Sequence, residues 1–177
     1  MNAQAKARAV RLMGFDIDGV MTDGRLYYGP DGETLKVFHS RDGHGLKLLM
    51  RAGIVVVVIS GRRSAALEAR CAELGVHECH LGVEDKLATL QTILARRNLT
   101  RQQAGYMGDD IVDLEILCQC GFSAAPADAH PEVCARVDYR AALPGGHGAV
   151  REVCDWLLKT QNRYHQLVQE ALGSAAP

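Results

Sequence analysis

Acidic side chains stand in two tight groups of the sequence, each directly after a short apolar run. Asp16 and Asp18 lie in FDIDGV, and Asp109 lies in GDDIVD. Carboxylate oxygens suit a hard dication such as Mg²⁺, which neutralises the negative charge of a phosphate ester. An aspartate can attack phosphorus to form an acyl phosphate, while a second carboxylate protonates the leaving oxygen and then activates water. The pattern therefore predicts phosphoryl transfer, with Asp16 as nucleophile, Asp18 as acid and base, and Asp16, Asp109 and the Asp18 backbone carbonyl at the metal.

A serine and a lysine, Ser60 and Lys86, could complete a site for phosphoryl transfer. Ser60 follows the apolar run 54–59 and precedes Gly61, and Lys86 opens a helical pattern. Ser60 could donate a hydrogen bond to phosphoryl oxygens, and Lys86 could oppose the negative charge of the transition state. Each feature alone is weak, because a serine at such a corner commonly caps a helix and an isolated lysine is usually exposed. All the groups nevertheless occur in order, each beside the end of a predicted strand, and such a combination is hard to produce by chance.

Five short apolar runs predict the strands that position these groups. The run IVVVVI at 54–59 has no polar alternation, so both of its faces should be buried, as in a parallel sheet covered by helices. In such a sheet, ligands bind beyond the carboxyl ends of the strands, where the polar groups stand here. The strands are predicted at residues 10–17, 54–59, 105–107, 122–125 and 137–139.

Helical patterns fill the gaps between the strands. Strands that alternate with helices predict an α/β fold with a doubly wound, Rossmann-like parallel sheet and helices on both faces. The clearest pattern is the last, in which apolar residues from Val150 to Val168 fall mainly on one face. The helices are predicted at residues 45–52, 64–74, 86–97, 112–120, 131–136 and 150–168.

One segment interrupts this alternation. In RLYYGPDGETLKVF, residues 25–38, two β-prone runs flank the turn sequence GPDG. The segment predicts a β-hairpin that projects from the sheet after the first strand. It is too small to be a separate domain, so residues 1–177 are predicted to form one domain without a large cap.

Composition narrows the partners. The formal net charge is −1, with 47% hydrophobic and 23% charged residues, which gives no support for a nucleic-acid or membrane-surface partner. The longest apolar run, 54–59, is too short to span a bilayer. The N-terminal sequence MNAQAKARAV lacks the apolar stretch of a secretory signal, which favours a cytoplasmic protein. Its basic residues indicate a short solvated segment before the first strand.

The cysteines favour thiols over disulfides. There are six, and without an export signal free buried thiols are expected. The segment His77–His80, HECH, has the residue types of a metal site, but no second ligand pair stands at zinc spacing. A short strand after the turn at Gly75 is the favoured interpretation of this segment.

Together these motifs resemble the haloacid dehalogenase superfamily. FDIDGV at 15–20, ISG at 59–61, Lys86 and GDDIVD at 108–113 match its four motifs in order. The second aspartate of FDIDGV marks the branch of that superfamily that transfers phosphate. The resemblance implies Asp16 as nucleophile, Asp18 as acid and base, Ser60 and Lys86 as phosphate ligands, and Asp16, Asp18 and Asp109 at Mg²⁺.

A narrower resemblance is carried by DGVMTDG, FHSRDGHG, ADAHP and GGHGAVREVCD. These segments are similar to the phosphatases that hydrolyse 3-deoxy-D-manno-octulosonate 8-phosphate on the route to lipopolysaccharide. That family implies a cytoplasmic homotetramer whose hairpins form a central barrel and whose active sites are partly closed by neighbouring subunits. Arginine forks suit the carboxylate and phosphate of this sugar acid. The implied substrate contacts are Asp18, His39, Ser40, Arg41, Asp42, Gly43, Gly61, Arg62, Arg70 and Lys86.

Three alternatives remain beside this reading. Chains that act on nine-carbon sugar-acid phosphates, or on another small metabolite, carry similar motifs. A phosphomutase usually needs a cap domain to protect its intermediate, and the chain has no residues for one. A receiver-like phospho-accepting domain combines the same residue types, but its acceptor stands after the third strand, whereas Asp16 stands at the end of the first predicted strand.

Overall fold

The structure is a computed structural model that describes residues 2–173, and a parallel sheet of six strands forms its centre. The order across this sheet is β5-β4-β1-β6-β7-β8, and a separate antiparallel pair, β2 and β3, forms the hairpin. The strands are β1 (Leu12–Phe15), β2 (Tyr27–Gly29), β3 (Gly32–Leu35), β4 (Val55–Ser60), β5 (Glu78–Leu81), β6 (Ala104–Met107), β7 (Phe122–Ala125) and β8 (Tyr139–Arg140).

Helices connect successive strands of the sheet and cover both of its faces. Short 3₁₀ turns at Arg101–Gln103 and Ile111–Asp113 precede β6 and α5. The helices are α1 (Ala3–Ala9), α2 (Ser40–Arg51), α3 (Ala65–Leu74), α4 (Lys86–Arg96), α5 (Leu114–Gln119), α6 (Pro131–Cys134), α7 (Ala149–Thr160) and α8 (Tyr164–Ala171).

Strand β4 explains why its sequence shows no polar alternation. Successive side chains of a strand point to opposite faces of the sheet. Val56 and Val58 lie in the apolar cluster shared with helices α2 and α7, whereas Val57 and Ile59 lie in the cluster shared with α4 and α5. Both faces are buried, so every position of the strand is apolar until Ser60. The predicted doubly wound α/β fold is confirmed.

The hairpin leaves the body between β1 and α2. Tyr28 pairs with Glu33 across it, and Gly29 pairs with Gly32 at the turn. Its apolar side chains are largely exposed, with Tyr28 at 63% and Leu35 at 52% of their full accessibility. The hairpin therefore projects from the sheet within the segment 25–38, where the turn sequence predicts it.

The two ends of the chain differ from the sequence-based expectation. The predicted solvated lead-in is helix α1, in which Ala7 is fully buried and Lys6 pairs with Asp138 at 2.6 Å. The single helix predicted over 150–168 is two helices, because Asn162 adopts a left-handed backbone (φ 59°) between them. The Arg163 guanidinium donates to the Ala52 carbonyl, which ties the start of α8 to the end of α2.

Other expectations concern single segments. The six cysteines are free, but Cys79 and Cys118 are exposed, so the expectation of burial holds only in part. The segment with the HECH sequence forms β5, as predicted. Helix α2 begins at Ser40, five residues before the predicted start. Within residues 2–173, no helix combines the length and the apolarity that crossing a bilayer requires. The tail after Gly173 lies outside the described residues.

Candidate active site

The sheet order brings three of the polar motifs together. Strand β1 lies between β4 and β6, so their carboxyl ends meet at the same edge. Asp16 directly follows β1, Ser60 ends β4, and Asp109 comes shortly after β6. Together with Lys86 they line one cleft of about 390 Å³. The cleft is lined by Asp16, Asp18, Gly19, Gly24, Ser60, Gly61, Arg62, Val83, Glu84, Lys86, Asp109, Asp110 and Val112.

Lys86 enters the cleft from the start of α4. The Asp85 carboxylate caps this helix by accepting a hydrogen bond from the Ala88 amide at 2.8 Å. The Lys86 ammonium lies 2.7 Å from Asp16 Oδ2 and 2.7 Å from Asp113 Oδ1. Burial lowers the pKa of Lys86, but the two carboxylates outweigh that effect and the net shift is upward. The lysine is therefore a fixed cation that bridges the first and fourth motifs.

Three carboxylates, two of which contact Lys86, form a cluster in the cleft. Oxygens of Asp16, Asp109 and Asp113 all lie within 4.8 Å of one another. Burial and the neighbouring carboxylates raise the pKa of Asp109 to about 8. Burial and the Asp113 charge raise the pKa of Asp16 to about 6, although Lys86 opposes them. One lysine does not balance this negative charge, and a divalent cation would, so the donor set fits Mg²⁺.

Asp113 supports the cluster from below. It is fully buried, and its Oδ1 accepts from Lys86. Its Oδ2 accepts from the backbone amides of Asp109 at 3.0 Å and Asp110 at 3.4 Å. Both oxygens are thus engaged within the chain. Asp113 orients the GDD loop, which leaves the carboxylate of Asp109 facing the cleft.

Gly19 lets the first motif turn tightly against Asp109. Its φ is +84°, a left-handed conformation that L side chains rarely adopt. A Cβ atom at this position would overlap the Asp109 carboxylate. Glycine in FDIDGV is therefore required by the closeness of the two acidic loops.

Ser60 and its neighbours form the floor beside the nucleophile. Ser60 is 2% exposed, and its Oγ accepts from the Arg62 amide at 3.3 Å. Beneath it, the buried Tyr106 hydroxyl donates to the Ile59 carbonyl at 3.0 Å. These contacts fix the corner at which β4 ends.

The Asp18 side chain lines the same cleft but is not part of the carboxylate cluster, and it has two cationic partners. Its Oδ1 contacts the Lys36 ammonium, and its Oδ2 lies 3.6 Å from Arg62 Nε. Lys36 also lies 3.3 Å from Glu33 Oε1. The sequence motifs do not predict a role for Lys36 or Glu33. The only signal for them is a charged residue at each end of the short run ETLK, which does not show where the hairpin packs.

Arg62 connects the hairpin to the cleft from the other side. Its guanidinium donates to the Tyr28 hydroxyl at 2.6 Å and to Glu33 Oε2 at 3.3 Å. Its carbon also lies 5.9 Å from the centre of the Tyr28 ring. The hairpin is therefore packed on the motif residues themselves.

Several predicted substrate contacts do not line this cleft. The Asp42 carboxylate is buried and accepts from the amides of Gly148 at 3.2 Å and Arg151 at 2.8 Å, at the start of α7. Arg70 packs against Gly43 and pairs with Glu73 at 2.8 Å. The predicted residues outside the lining of the cleft are His39, Ser40, Arg41, Asp42, Gly43 and Arg70.

Known proteins with similar sequences and structures are phosphatases. The chain is 42% identical over 171 residues to 3-deoxy-D-manno-octulosonate 8-phosphate phosphatase KdsC of Escherichia coli strain K12, covering 97% of this chain and 89% of the relative. The crystal structure of that phosphatase from Yersinia pestis matches with a TM-score of 0.89 at 41% identity, covering 92% of this chain and 88% of that one. The Moraxella catarrhalis structure, in complex with magnesium, phosphate and KDO, matches with a TM-score of 0.92 at 34% identity, covering 95% and 97%. No family model matches.

The doubly wound sheet with its acidic cleft defines a phosphatase of the haloacid dehalogenase superfamily. Within it, the chain belongs to the KdsC family of 3-deoxy-D-manno-octulosonate 8-phosphate phosphatases.

Proposed function

We propose that this chain hydrolyses 3-deoxy-D-manno-octulosonate 8-phosphate to the free sugar acid and phosphate, in the cytoplasm, during synthesis of lipopolysaccharide precursors. The observation that carries the proposal is the convergence of Asp16, Lys86 and Asp109 in one cleft of a KdsC-family fold. The Moraxella relative supports the substrate class, because its structure is described as a complex with magnesium, phosphate and KDO.

Asp16 is the proposed nucleophile. Its carboxylate forms a bond to phosphorus while the bond from phosphorus to the sugar oxygen breaks, which leaves an aspartyl phosphate. Lys86 supports this role, since its ammonium fixes Asp16 Oδ2 at 2.7 Å and opposes charge on the phosphoryl oxygens. Ser60 is placed at the adjacent strand end to donate to those oxygens.

Mg²⁺ is the cofactor of this chemistry. The carboxylates of Asp16 and Asp109 and the backbone carbonyl of Asp18 are its proposed protein ligands, as the acidic cluster supports. When bound, the ion neutralises the phosphate and allows one anion to approach another.

Asp18 is the proposed acid and base. In the first half of the reaction its proton passes to the sugar oxygen as that oxygen leaves. In the second half it removes a proton from the water that attacks the aspartyl phosphate. Its side chain faces the cleft apart from the carboxylate cluster, which supports a role separate from that of Asp16.

The substrate contacts outside the cleft suggest an assembly. We propose that a homotetramer uses further substrate-binding residues, contributed where one subunit borders the cleft of its neighbour. They are His39, Ser40, Arg41, Asp42 and Gly43 at the start of α2 and Arg70 in α3, together with Gly61 and Arg62. The exposed apolar side chains of the hairpin support a covered surface there. Each subunit would be one domain over residues 1–177 with residues 25–38 as its flap.

A phosphate-release panel with Mg²⁺ tests the function. The eight-carbon sugar-acid phosphate should be hydrolysed with a kcat/KM at least about tenfold above that for hexose phosphates, because the proposed arginine contacts, Arg41, Arg62 and Arg70, would bind its carboxylate. A preference for a nine-carbon sugar-acid phosphate would contradict the eight-carbon substrate but keep the class of sugar-acid phosphatases. Equal rates on hexose phosphates would contradict the proposed specificity, and slow self-labelling without turnover would contradict a phosphatase altogether.

A further inference from the structure

Lys36 links the hairpin to the first motif. It directly follows β3, and its side chain is 1% exposed. Its ammonium contacts Asp18 Oδ1 and lies 3.3 Å from Glu33 Oε1. A buried lysine persists in a fold when carboxylates compensate its charge, so the three groups hold one another in place.

We propose that Lys36 is a positioning residue that aims the Asp18 carboxylate at the leaving oxygen of the substrate. The proposal rests on the function proposed above and adds to it a residue that lies outside the four motifs. Lys36 does not line the cleft, so it acts through Asp18 and not on the substrate.

The two aspartates of the first motif have different cationic partners. Asp16 is fixed by Lys86, which enters from α4. Asp18 has Lys36 on one oxygen and Arg62, at 3.6 Å, on the other. Both cations also meet Glu33, but the Lys36 side chain is 1% exposed whereas that of Arg62 is 38% exposed, so Lys36 is the more tightly held partner of Asp18. Lys36 is therefore the buried partner that holds the Asp18 carboxylate outside the carboxylate cluster.

Loss of this contact should affect one chemical demand selectively. Without Lys36, the Asp18 side chain can distribute among several staggered rotamers, and only some of them point at the leaving oxygen. A sugar alkoxide needs a proton as its bond to phosphorus breaks. A p-nitrophenolate leaves as a stabilised anion and needs none. A misaimed acid therefore slows the sugar substrate and spares the aryl one.

The test compares these two leaving groups in the first turnover of the full-length enzyme with Mg²⁺. Variants Lys36→Met and Lys36→Arg are mixed in excess with the eight-carbon sugar-acid phosphate or with p-nitrophenyl phosphate, and release of the leaving group is timed. Lys47→Met, on an exposed position of α2, controls for loss of a lysine. Thermal unfolding and hydrodynamic size show whether each variant folds and assembles.

Lys36→Met should slow release of the sugar acid at least about tenfold and release of p-nitrophenolate less than about threefold. Lys36→Arg keeps the buried charge and the fold but moves the donor, so it should show a smaller loss with the same selectivity. If Lys36→Met does not fold, the comparison of the two substrates is made with Lys36→Arg alone. Equal slowing of both substrates, or no slowing of either, would overturn the proposal. If wild-type enzyme does not hydrolyse the sugar-acid phosphate, the proposed function fails instead, which is a separate result.

Discussion

Asp16 sits between one cation and two carboxylates, and this balance sets its properties. Lys86 lies 2.7 Å away, while Asp109 and Asp113 approach within 4.8 Å. Burial and the Asp113 charge win over the lysine, and the pKa of Asp16 rises to about 6. A basic carboxylate is a better nucleophile, but its charge must still be offset for it to meet a phosphate.

Replacing Asp16, the proposed nucleophile, is the sharpest prediction for a single residue. Asp16→Asn should lower the rate of phosphate release at least about 10³-fold, because an amide cannot form the acyl phosphate. The thermal midpoint should not fall, since the change removes one charge from a crowded acidic cluster. Asp155→Asn, on α7 and outside the cleft, is the matched control. Substantial turnover by Asp16→Asn would exclude Asp16 as nucleophile.

Gly19 provides a second prediction about the metal. In Gly19→Ala the new Cβ would overlap the Asp109 carboxylate and push it out of the cluster. The Mg²⁺ concentration for half-maximal activity should rise at least about tenfold.

The matched control for that substitution is Gly75→Ala. Gly75 also has a positive φ, +73°, but a Cβ there meets nothing within 4 Å. Both variants should lose about 1 kcal/mol of unfolding free energy from backbone strain, and only Gly19→Ala should change the Mg²⁺ dependence. An identical Mg²⁺ response in the two variants would show that the Asp109 contact is unimportant.

Among the secondary structure elements, those that position the motifs are the ones that sequence predicts best. Strand β4 is an uninterrupted apolar run because both of its faces are buried, and its pattern ends at Ser60, which lines the cleft. The predicted fold, the hairpin and the meeting of the motif residues at one sheet edge all follow from such local patterns. Periodicity identifies where a strand ends, and sheet topology then brings the ends together.

Elements whose placement depends on distant contacts were not predictable in this way. The apolar periodicity of the last helix runs through Asn162, and only the left-handed turn there shows the break between α7 and α8. Likewise, nothing local in the hairpin sequence shows that Lys36 turns inward to Asp18. The contact that Asp42 makes at the start of α7 was not predictable either. Its carboxylate accepts from the Arg151 amide, which lies 109 residues further along the chain.

The edge strand β5 offers a prediction of pH dependence. The Glu78 carboxylate pairs with Arg97 at 2.7 Å and with Arg96 and His80. Burial acts to raise its pKa, but these partners outweigh burial and lower it from 4.5 to about 2. Because the folded-state pKa is the lower one, the stabilisation is present above about pH 4.5 and is lost as pH falls toward 2.

Glu78→Gln should therefore reduce the free energy of unfolding by about 0.5–1 kcal/mol near neutral pH, a modest value because the arginines are partly exposed. In urea titrations, the difference from wild type should shrink steadily between about pH 5 and pH 3. Glu115→Gln, on an exposed position of α5, is the control. A difference that stays constant over this range would show that the ion pairs contribute nothing.

At the scale of the molecule, the sheet separates two apolar clusters and carries the acidic cleft at its edge. Such a design concentrates uncompensated negative charge in one place, since Asp109 reaches a pKa of about 8 beside Asp16 and Asp113. A dication bound there contributes both to catalysis and to stability.

Chelation of divalent metal should stop phosphate release entirely, and added Mg²⁺ should restore it. The thermal midpoint should rise on adding Mg²⁺ to the metal-free protein, because only the folded chain assembles the cluster. In Asp109→Asn the rise should be much smaller. Full activity in chelator would contradict the metal assignment, whatever the substrate.

The Asp18–Lys36 contact also has a meaning for protein engineering. It joins positions 18 residues apart and so connects the two ends of the segment that contains the hairpin. A shortened enzyme made by deleting the hairpin would keep every residue of the four motifs and still lose the contact between Asp18 and Lys36. Minimal hydrolases cut from this scaffold should therefore retain Lys36 even when the rest of the protrusion is discarded.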